Sequence, residues 1–305
     1  KSSGFWNPVD ANEARALALT NVTGVLVPSQ LDTSVILTND GAVNPFRGIS
    51  RVIPVGTNVW TGTSSAGVTA GWTGAEGTEV DDDAPSFSNP AVTCYMADAF
   101  VPISFQGYED WVGAANELDV MFADAKDRLE EAAHATGAGA NQPYGIGTAL
   151  VGTASAVAMA TNNAFTIADL YTLKQALPDR WKPRARFASA EEYLDRVRQF
   201  GTSNNYHGFT VDLNSGDLAA VFGKPWHQST TMTGTLSSSA TNNAIVYGDF
   251  NNYVIADRIG MVVEFIPQIF SPTNGRPRAQ RGWLAHWRTG ADSIVDGAFR
   301  LLYNQ

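Results

Sequence analysis

Residues 56–83 read GTNVWTGTSSAGVTAGWTGAEGTEVDDD and form a glycine- and serine-spaced tract within a larger loop-prone region. Its β-branched residues, separated by Gly and Ser, predict a long, flexible β-hairpin. The tract holds too few apolar side chains to bury a core of its own. We therefore expect it to lie against a neighbouring surface or to stay mobile, which makes the chain dependent on contacts beyond its own core.

The composition agrees with a protein that buries much of its surface against other molecules. Hydrophobic residues make up 44% of the 305 residues, while charged residues make up 16%, below the roughly 25% of an average globular protein. Homo-oligomer contacts are the simplest explanation, and a glycine- and threonine-rich β protein is the alternative. The net charge of −10 argues against sequence-specific DNA binding, which needs a basic face, but it is compatible with enclosing DNA.

One long amphipathic helix is predicted over residues 109–135. Its apolar residues step by 4, 3, 4, 3, 4 and 3, which places them on one face over about seven turns. The members of this stripe are Trp111, Ala115, Leu118, Phe122, Ala125, Leu129 and Ala132. Gly137 and Gly139 are expected to end the helix.

The remaining pattern is mixed. Capping-box spacing predicts two shorter helices, one opening at Thr166 and one at Ser189. A strand and a turn are expected over 146–160, a strand over 92–105, and strands dominate from about 205 onward, beginning with FTVDL at 209–213.

No group of side chains predicts a catalytic site, a metal site or a cofactor. FGKP at 222–225 lacks the spacing of a phosphate loop, and the four histidines lack the spacing of zinc ligands. Cys94 lies in an apolar strand-like run and is expected to be a buried small hydrophobe. No stretch reaches 18 consecutive apolar residues, so no membrane span is predicted.

Two segments carry opposite, unbalanced charge. From Val52 to Tyr108 there are acids but no lysine or arginine, and an acidic cluster consists of Glu76, Glu79, Asp81, Asp82 and Asp83. This cluster lacks the EF-hand pattern, so a solvated charge run is favoured over a cation site. From Phe265 to Ala291 there is no acid, and the arginine strip consists of Arg276, Arg278, Arg281 and Arg288. Trp283 and Trp287 are expected to offer flat apolar faces beside these arginines.

The run over 222–265 resembles the HK97-like family of tailed-phage major capsid proteins. That family carries an LxGxPV turn and then a GDF…Y.I.DR.G block that enters a long strand. The matching residues here are Gly223, Pro225, Gly248, Asp249, Phe250, Tyr253, Ile255, Asp257, Arg258 and Gly260. The long helix with its ATGAGANQPYGIG exit and the closing GWLAHWRTGADSIVDGAFRLL run resemble the family in the same order, over roughly residues 105–302.

The resemblance implies an α+β fold with an N-terminal arm, an extended loop (E-loop), a peripheral (P) domain and an axial (A) domain. The implied boundaries are 1–45 for the arm, 46–91 for the E-loop, 92–140 with 257–290 for the P domain, and 141–256 with 291–305 for the A domain. The long helix is the family's spine helix. The E-loop of such a protein reaches over adjacent subunits, which agrees with a hairpin that lacks its own core.

The implied function is that of a structural, non-enzymatic subunit. It would self-assemble into hexamers and pentamers of an icosahedral shell that encloses double-stranded DNA without reading its sequence. The implied partners include portal, scaffold, protease and decoration proteins. The location is the virion after assembly in the bacterial cytoplasm, and a first residue of Lys agrees with a mature, processed form. The alternatives are an encapsulin compartment and a β-rich hydrolase or carbohydrate-binding protein.

One departure from the family concerns covalent crosslinking. Some members join an E-loop lysine to a neighbour's asparagine with the help of a glutamate. Asn274 lies near the expected asparagine, but no lysine occurs between Lys1 and Lys126 and no glutamate follows Glu264. We therefore expect non-covalent contacts, with the acidic cluster of one subunit against the arginine strip of another.

Overall fold

The computed structural model describes residues 36–72, 77, 79, 82–110, 114–203, 220–236 and 242–304. The strand predicted at 209–213 and the stripe residue Trp111 lie outside these ranges. Most of the predicted N-terminal arm, at 1–35, does so too.

Helices and strands alternate irregularly along the described chain. The helices are Phe46–Ile49 (α1), Phe105–Asp110 (α2), Ala114–Thr136 (α3), Ile146–Leu150 (α4), Ile167–Ala176 (α5) and Glu191–Ser203 (α6). The strands are Arg51–Pro54 (β1), Val59–Thr61 (β2), Ser64–Ser65 (β3), Phe87–Ser88 (β4), Ala91–Thr93 (β5), Tyr95–Ser104 (β6), Ala156–Ala158 (β7), Arg186–Ser189 (β8), Ala220–Val221 (β9), Lys224–Gln228 (β10), Asn242–Gly248 (β11), Tyr253–Ile266 (β12), Ile269–Phe270 (β13), Pro277–Arg278 (β14), Gln280–Ser293 (β15) and Phe299–Asn304 (β16).

A six-stranded mixed sheet holds the larger core. Its order is β7-β16-β11-β8-β10-β9. Residues 244–248 of β11 are all buried, so this strand is covered on both faces. At the centre, the ring of Phe187 stacks between Trp226 at 4.9 Å and Tyr247 at 4.3 Å. Helices α4, α5 and α6 contribute Leu150, Leu170 and Val197 to the same core.

A four-stranded sheet forms the second layer, in the order β1-β12-β15-β6. Its two central strands are 14 residues long and antiparallel. Helix α3 lies on one face, where Leu118 and Phe122 pack around Ala285. The long helix predicted over 109–135 is confirmed over Ala114–Thr136, and it ends just before Gly137 as expected.

The glycine-rich tract forms the predicted hairpin. Strand β2 pairs with β5, and β3 pairs with β4 further along the same ribbon. The hairpin buries little, since the exposed fractions of Val68, Trp72 and Phe87 are 66%, 103% and 69%. Arg258 donates to the side chain of Asn58 at its base, over 3.3 Å.

The second half of the predicted helical stripe is wrong. Leu129 is 49% exposed, whereas Glu130 and His134 are fully buried. The buried side chains of the helix follow a spacing of four residues, from Leu118 and Phe122 to Glu130 and His134. The end of the helix is covered by α1 and β12, since Arg47 binds Glu130 and Tyr253 donates to the His134 carbonyl. Hydrophobicity alone therefore selected the wrong face for the last turns.

Three smaller predictions have different outcomes. The capping box at Thr166 is confirmed, with the Thr166 amide donating to Asp169 Oδ2 over 2.8 Å. Ser189 does not cap a helix; it ends β8, where its hydroxyl accepts from Trp226 Nε1, and α6 begins at Glu191. Residues 146–150 are helical, so the strand predicted over this region is confined to Ala156–Ala158.

Two further observations concern single features. Cys94 is buried and its thiol donates to the Ala256 carbonyl, as expected for a small core residue. Among the described helices, none is long and apolar enough to cross a membrane.

Candidate inter-subunit surface

The arginine strip occupies one end of the four-stranded sheet. Strands β13 and β14 form a short hairpin that carries Arg276 and Arg278, both of which are exposed. Arg288 lies half-buried on β15, opposite Met96 and Ile259. Within the described part of the chain, none of the four arginines forms an ion pair.

Arg281 differs from the other three because aromatic rings of its own chain surround it. Its guanidinium lies 5.0 Å from the Phe105 ring centroid, 5.0 Å from Tyr108 and 6.0 Å from Phe265. These cation–π contacts hold the side chain in place. Arg276 and Arg278 are therefore the members of the strip that are freest to meet another molecule.

The two tryptophans of the strip do not offer flat faces to a partner. Trp287 is 2% exposed beneath α3, and half-buried Trp283 packs against Phe265 at 5.0 Å between ring centroids. Both side chains serve the core of the four-stranded sheet. The expectation that they would contact a neighbour failed because the alternation of β15 turns them toward α3.

The described residues of the acidic cluster lie at the far end of the hairpin. Glu79, Asp82 and Asp83 are exposed, whereas Glu76 and Asp81 lie outside the described residues. The carboxylate of Asp83 accepts from the Thr69 amide, and this hydrogen bond lowers the pKa of Asp83. Among the described residues, no ion pair joins the cluster to the arginine strip within one subunit.

A partly buried ion-pair network joins α1 to α3 and to β12. Arg47 donates to both carboxylate oxygens of Asp257 over 2.9 Å, and its Nε donates to Glu130. Thr289 donates to the same Asp257 carboxylate over 2.8 Å. The network connects α1, α3, β12 and β15, and the bidentate geometry is the strong form of this pairing.

Titration behaviour reflects this pairing. Burial raises the pKa of Asp257, but hydrogen bonds from Arg47 and Thr289 outweigh it, so the net pKa is lowered. Burial lowers the pKa of Arg47, but the two carboxylates raise it above its ordinary value. Next to them, burial and the charge of Arg47 lower the pKa of His134 to about 3, which keeps the ring neutral at physiological pH.

A second group of hydrogen bonds surrounds the adjacent residue, Glu131. Glu131 is 1% exposed and accepts from the Ser229 hydroxyl, the Thr231 hydroxyl and the Thr231 amide, the last over 3.0 Å. Thr230 in turn accepts from the Val43 amide over 2.9 Å. Glu130 and Glu131 therefore connect the segment before β1 and the loop after β10 to the same helix, α3. Sequence reasoning missed both, because the residues that bind them lie far away in the sequence.

The first motif forms the turn between β9 and β10. Phe222 and Gly223 both have positive φ, of 54° and 71°, a conformation that glycine adopts without strain. The Phe222 ring lies against Tyr171 at 5.1 Å between centroids, with the Lys174 ammonium 4.6 Å from it. Pro225 follows at an exposed position of β10.

The second motif connects the two sheets. A Cβ at Gly248 would lie 2.4 Å from the Ala298 carbonyl oxygen, so the close approach of the chains requires glycine. Asp249 accepts from the Asn251 amide over 3.1 Å and caps a short 3-10 turn. Phe250 is buried in the larger core beside Phe46 and Phe299.

The last motif residues lie on β12. Asp257 binds Arg47, as described above, and Arg258 holds the base of the hairpin. Gly260 is exposed at an irregularity where the pairing of β12 with β15 shifts between Ile259 and Val262, which is a usual place for glycine in a strand. The motif residues therefore act within the subunit, and those on β12 lie beside Arg288 of the arginine strip, which pairs with Ile259.

The fold and these surfaces define a class of protein. It is α+β, with one long helix on a sheet, a second and larger sheet, and a projecting hairpin without its own core. Within the described ranges, no group of His, Cys, Asp and Glu could hold a metal ion. This is the HK97-like architecture of shell-forming proteins.

Comparisons with known proteins agree. The profile of the phage capsid family matches residues 23–303. The capsid of a native GTA particle matches with a TM-score of 0.77 and 22% identity, covering 95% of this chain and 98% of that one. A chain from Microbacterium phage Oxtober96 matches with a TM-score of 0.70 and 14% identity (94% and 99% covered), and one from Gordonia phage Cozz with 0.65 and 14% (100% and 99%). No curated protein matches significantly by sequence.

The chain belongs to the phage capsid family. It is a major capsid protein, a structural component of the virion shell, and it assembles into multimeric capsids. The predicted family and fold class, and the predicted function of a major capsid protein, are thereby confirmed. The hydrolase and carbohydrate-binding alternatives are not supported, and the encapsulin alternative is not favoured.

Proposed function

We propose that this capsid protein forms the hexamers and pentamers of an icosahedral shell, in which the hairpin of each subunit covers a neighbour. The observation that carries this proposal is the hairpin itself. It projects with Trp72 fully exposed and with Val68 and Phe87 largely exposed. Apolar side chains on a ribbon without a core gain stability only when another surface covers them.

The arm, E-loop, P-domain and A-domain boundaries given above belong to this proposal. The four-stranded sheet with α3 corresponds to the P domain, and the six-stranded sheet corresponds to the A domain. The motif at residues 248–250 lies where one passes into the other.

The distribution of charge indicates which surfaces of two subunits meet. The acidic cluster at the hairpin tip and the exposed Arg276 and Arg278 have no ion-pair partner of opposite sign within the described parts of one subunit. Opposed patches on two subunits would set their register and speed their association more than they would add affinity. The cluster of one subunit would therefore lie on the strip of another.

The contacts of the shell would be non-covalent. Asn274 lies in the turn between β13 and β14, where its side chain accepts from the Arg276 amide. The hairpin, however, contains no lysine that could attack it, and the chain contains no glutamate after Glu264. The chain thus lacks the nucleophile and the base of the family's crosslinking reaction.

The shell would enclose double-stranded DNA without reading its sequence and would assemble in the bacterial cytoplasm. Portal, scaffold, protease and decoration proteins would be its partners during or after assembly. The acidic net charge agrees with an enclosure that does not hold DNA tightly.

A charge exchange tests the contact. Arg276→Glu with Arg278→Glu, or Asp82→Lys with Asp83→Lys, should each reduce the yield of closed shells seen by electron microscopy. Combining the four substitutions should restore part of the yield. Normal assembly of both single-side variants at low salt would contradict the contact, and wild-type protein that forms no shells would contradict the proposed function itself. Boiling shells in detergent should release monomers of 32.6 kDa.

A further inference from the structure

A strongly basic cleft lies at the edge of the six-stranded sheet, away from the arginine strip. Residues 179–186, from the loop after α5 to the first residue of β8, read DRWKPRAR and carry four cations within seven residues, and a fifth is Lys224, the first residue of β10. Arg184, Arg186 and Lys224 line the cleft, and Arg180 and Lys182 precede them on the same segment; these five residues are called the basic cleft. They are a quarter of the 20 lysines and arginines of a chain whose net charge is −10.

We propose that the basic cleft contacts the phosphate backbone of the nucleic acid inside the shell. This inference rests on the proposed function, because it requires that the shell encloses nucleic acid. The basic cleft would then be a local site at which an acidic subunit binds a polyanion.

The shape of the cleft supports this assignment. A cavity of about 410 Å³ lies between the 183–186 segment, the 223–225 turn and the 249–251 segment. Lys224 Nζ donates to the Pro183 carbonyl over 2.7 Å, which holds the turn against the loop. Arg184 lines this cavity and is exposed, and the guanidinium of the exposed Arg180 lies 5.1 Å from the Trp181 ring centroid.

The carboxylates of the cleft are too few to neutralise its cations. Asp179 is the one carboxylate of the loop and is paired with Lys182 over 2.6 Å. Asp249 also lines the cavity and accepts from the Asn251 amide, so one carboxylate faces the three cations Arg184, Arg186 and Lys224. Within the described residues, Arg184 and Arg186 form no ion pair. The potential extends to His227, whose pKa is lowered by burial and by the charge of Arg186.

Phosphodiesters fit this arrangement better than the carboxylates of a second subunit. A guanidinium fork pairs with two phosphate oxygens, and a nucleic-acid backbone presents charges to several cations at once. The exposed acidic cluster of the hairpin already has a proposed counterpart in Arg276 and Arg278. Since each phosphate contact contributes about 0.9 to the salt dependence of binding, a few contacts give weak, sequence-independent binding, in agreement with the net charge.

The first experiment measures binding of a 20-base-pair duplex to purified subunits by fluorescence anisotropy between 25 and 150 mM salt. Arg180→Ala with Arg184→Ala is compared with Arg51→Ala with Arg128→Ala, which removes the same charge from exposed positions elsewhere. We expect the cleft variant to lower the slope of log K against log salt by about 1.8, for two lost phosphate contacts. The control variant should keep the wild-type slope. Equal slopes for the two variants, or no binding by wild type at 25 mM salt, would overturn the inference.

The second experiment separates the cleft from assembly. Melting curves should show that both variants fold, and electron microscopy should show that both form shells. A cleft variant that binds the duplex like wild type but forms no shells would place a second subunit in the cleft and overturn the inference. The duplex measurement uses subunits alone, so a failure of wild type to form shells would count against the proposed function and not against the cleft.

Discussion

The two sheets of the subunit differ in how completely the chain covers them. Strand β11 of the six-stranded sheet is buried on both faces over residues 244–248. Strand β6 of the four-stranded sheet instead alternates between half-buried and exposed positions over its whole length. On the face away from α3, Met96, Phe100 and Val262 are 54%, 45% and 41% exposed.

This difference indicates which part of the subunit needs contacts with other subunits for its stability. The six-stranded side contains its own large core, whereas the four-stranded side has two small clusters. One is Leu118, Phe122 and Ala285 beneath α3, and the other is Val92, Cys94, Val254 and Ala256. An apolar sheet face without a covering layer is stabilised by contact with another molecule. We therefore expect the stability of the isolated subunit to reside mainly in the six-stranded side.

The largest expected effect is at the centre of the larger core. Phe187→Ala should lower the free energy of unfolding of the dissociated subunit by about 4–5 kcal/mol, because it leaves a cavity between Trp226 and Tyr247. Urea denaturation followed by tryptophan fluorescence measures it. A loss below about 2 kcal/mol would show that this core is less decisive than its burial indicates.

A pair of substitutions on α3 sharpens the comparison. Phe122→Ala should cost about 3 kcal/mol, since its side chain is 2% exposed under the sheet. Leu129→Ala, on the same helix but 49% exposed, should change the stability of the isolated subunit by less than about 0.5 kcal/mol. An equal loss of stability in the two variants would support the helix face that was predicted from hydrophobic spacing, in which Leu129 is buried.

A pH-dependent effect is expected near the end of β15. Burial and the charge of Asp296 raise the pKa of Asp292 to about 6, although the Ser293 amide opposes this. A raised folded-state pKa of a carboxyl contributes stability at low pH that is lost as pH rises through about 6. Asp292→Asn should therefore be more stable than wild type by about 1 kcal/mol at pH 7, a value reduced for partial exposure. The difference should disappear below about pH 4.

Denaturant midpoints of both proteins between pH 4 and pH 8 check this prediction. Taking the difference between variant and wild type removes the titration of other groups. A difference that stays constant with pH would mean that Asp292 is not the group responsible.

The smallest effect on subunit stability is expected at the hairpin. Trp72→Ala should leave unfolding unchanged within about 0.5 kcal/mol, because the side chain is fully exposed. The yield of closed shells should nevertheless fall, since a large apolar side chain at the tip loses its contact. Val151→Ala, which removes an exposed apolar side chain from the other half, is the control and should assemble normally.

Local patterns predicted much of this fold. The hairpin, the long helix, the capping box at Thr166 and the long strands depend on residues near each other in sequence, and all are present. The GDF and DRIG blocks identified the family, although they gave no account of what the residues do. Gly248 is required by contact with Ala298, which only the structure could show.

Features that depend on distant partners were not predictable in this way. Glu130 and Glu131 are buried because Arg47 and Thr231 reach them from remote parts of the chain. Ser189 has the spacing of a cap, but Trp226 binds its hydroxyl in a strand. The basic cleft was missed for the same reason, since Lys224 lies far from Arg180 in sequence, and the arginine strip drew attention as the more obvious cationic segment.

The position of the last strands has a consequence for biosynthesis. Strand β15 lies between β12 and β6 in one sheet, and β16 lies between β7 and β11 in the other. Both are interior strands, and both follow residue 279 in the sequence. A polypeptide whose synthesis stops before residue 280 therefore lacks one interior strand of each sheet, and the backbone groups of the strands on either side lose their hydrogen-bond partners.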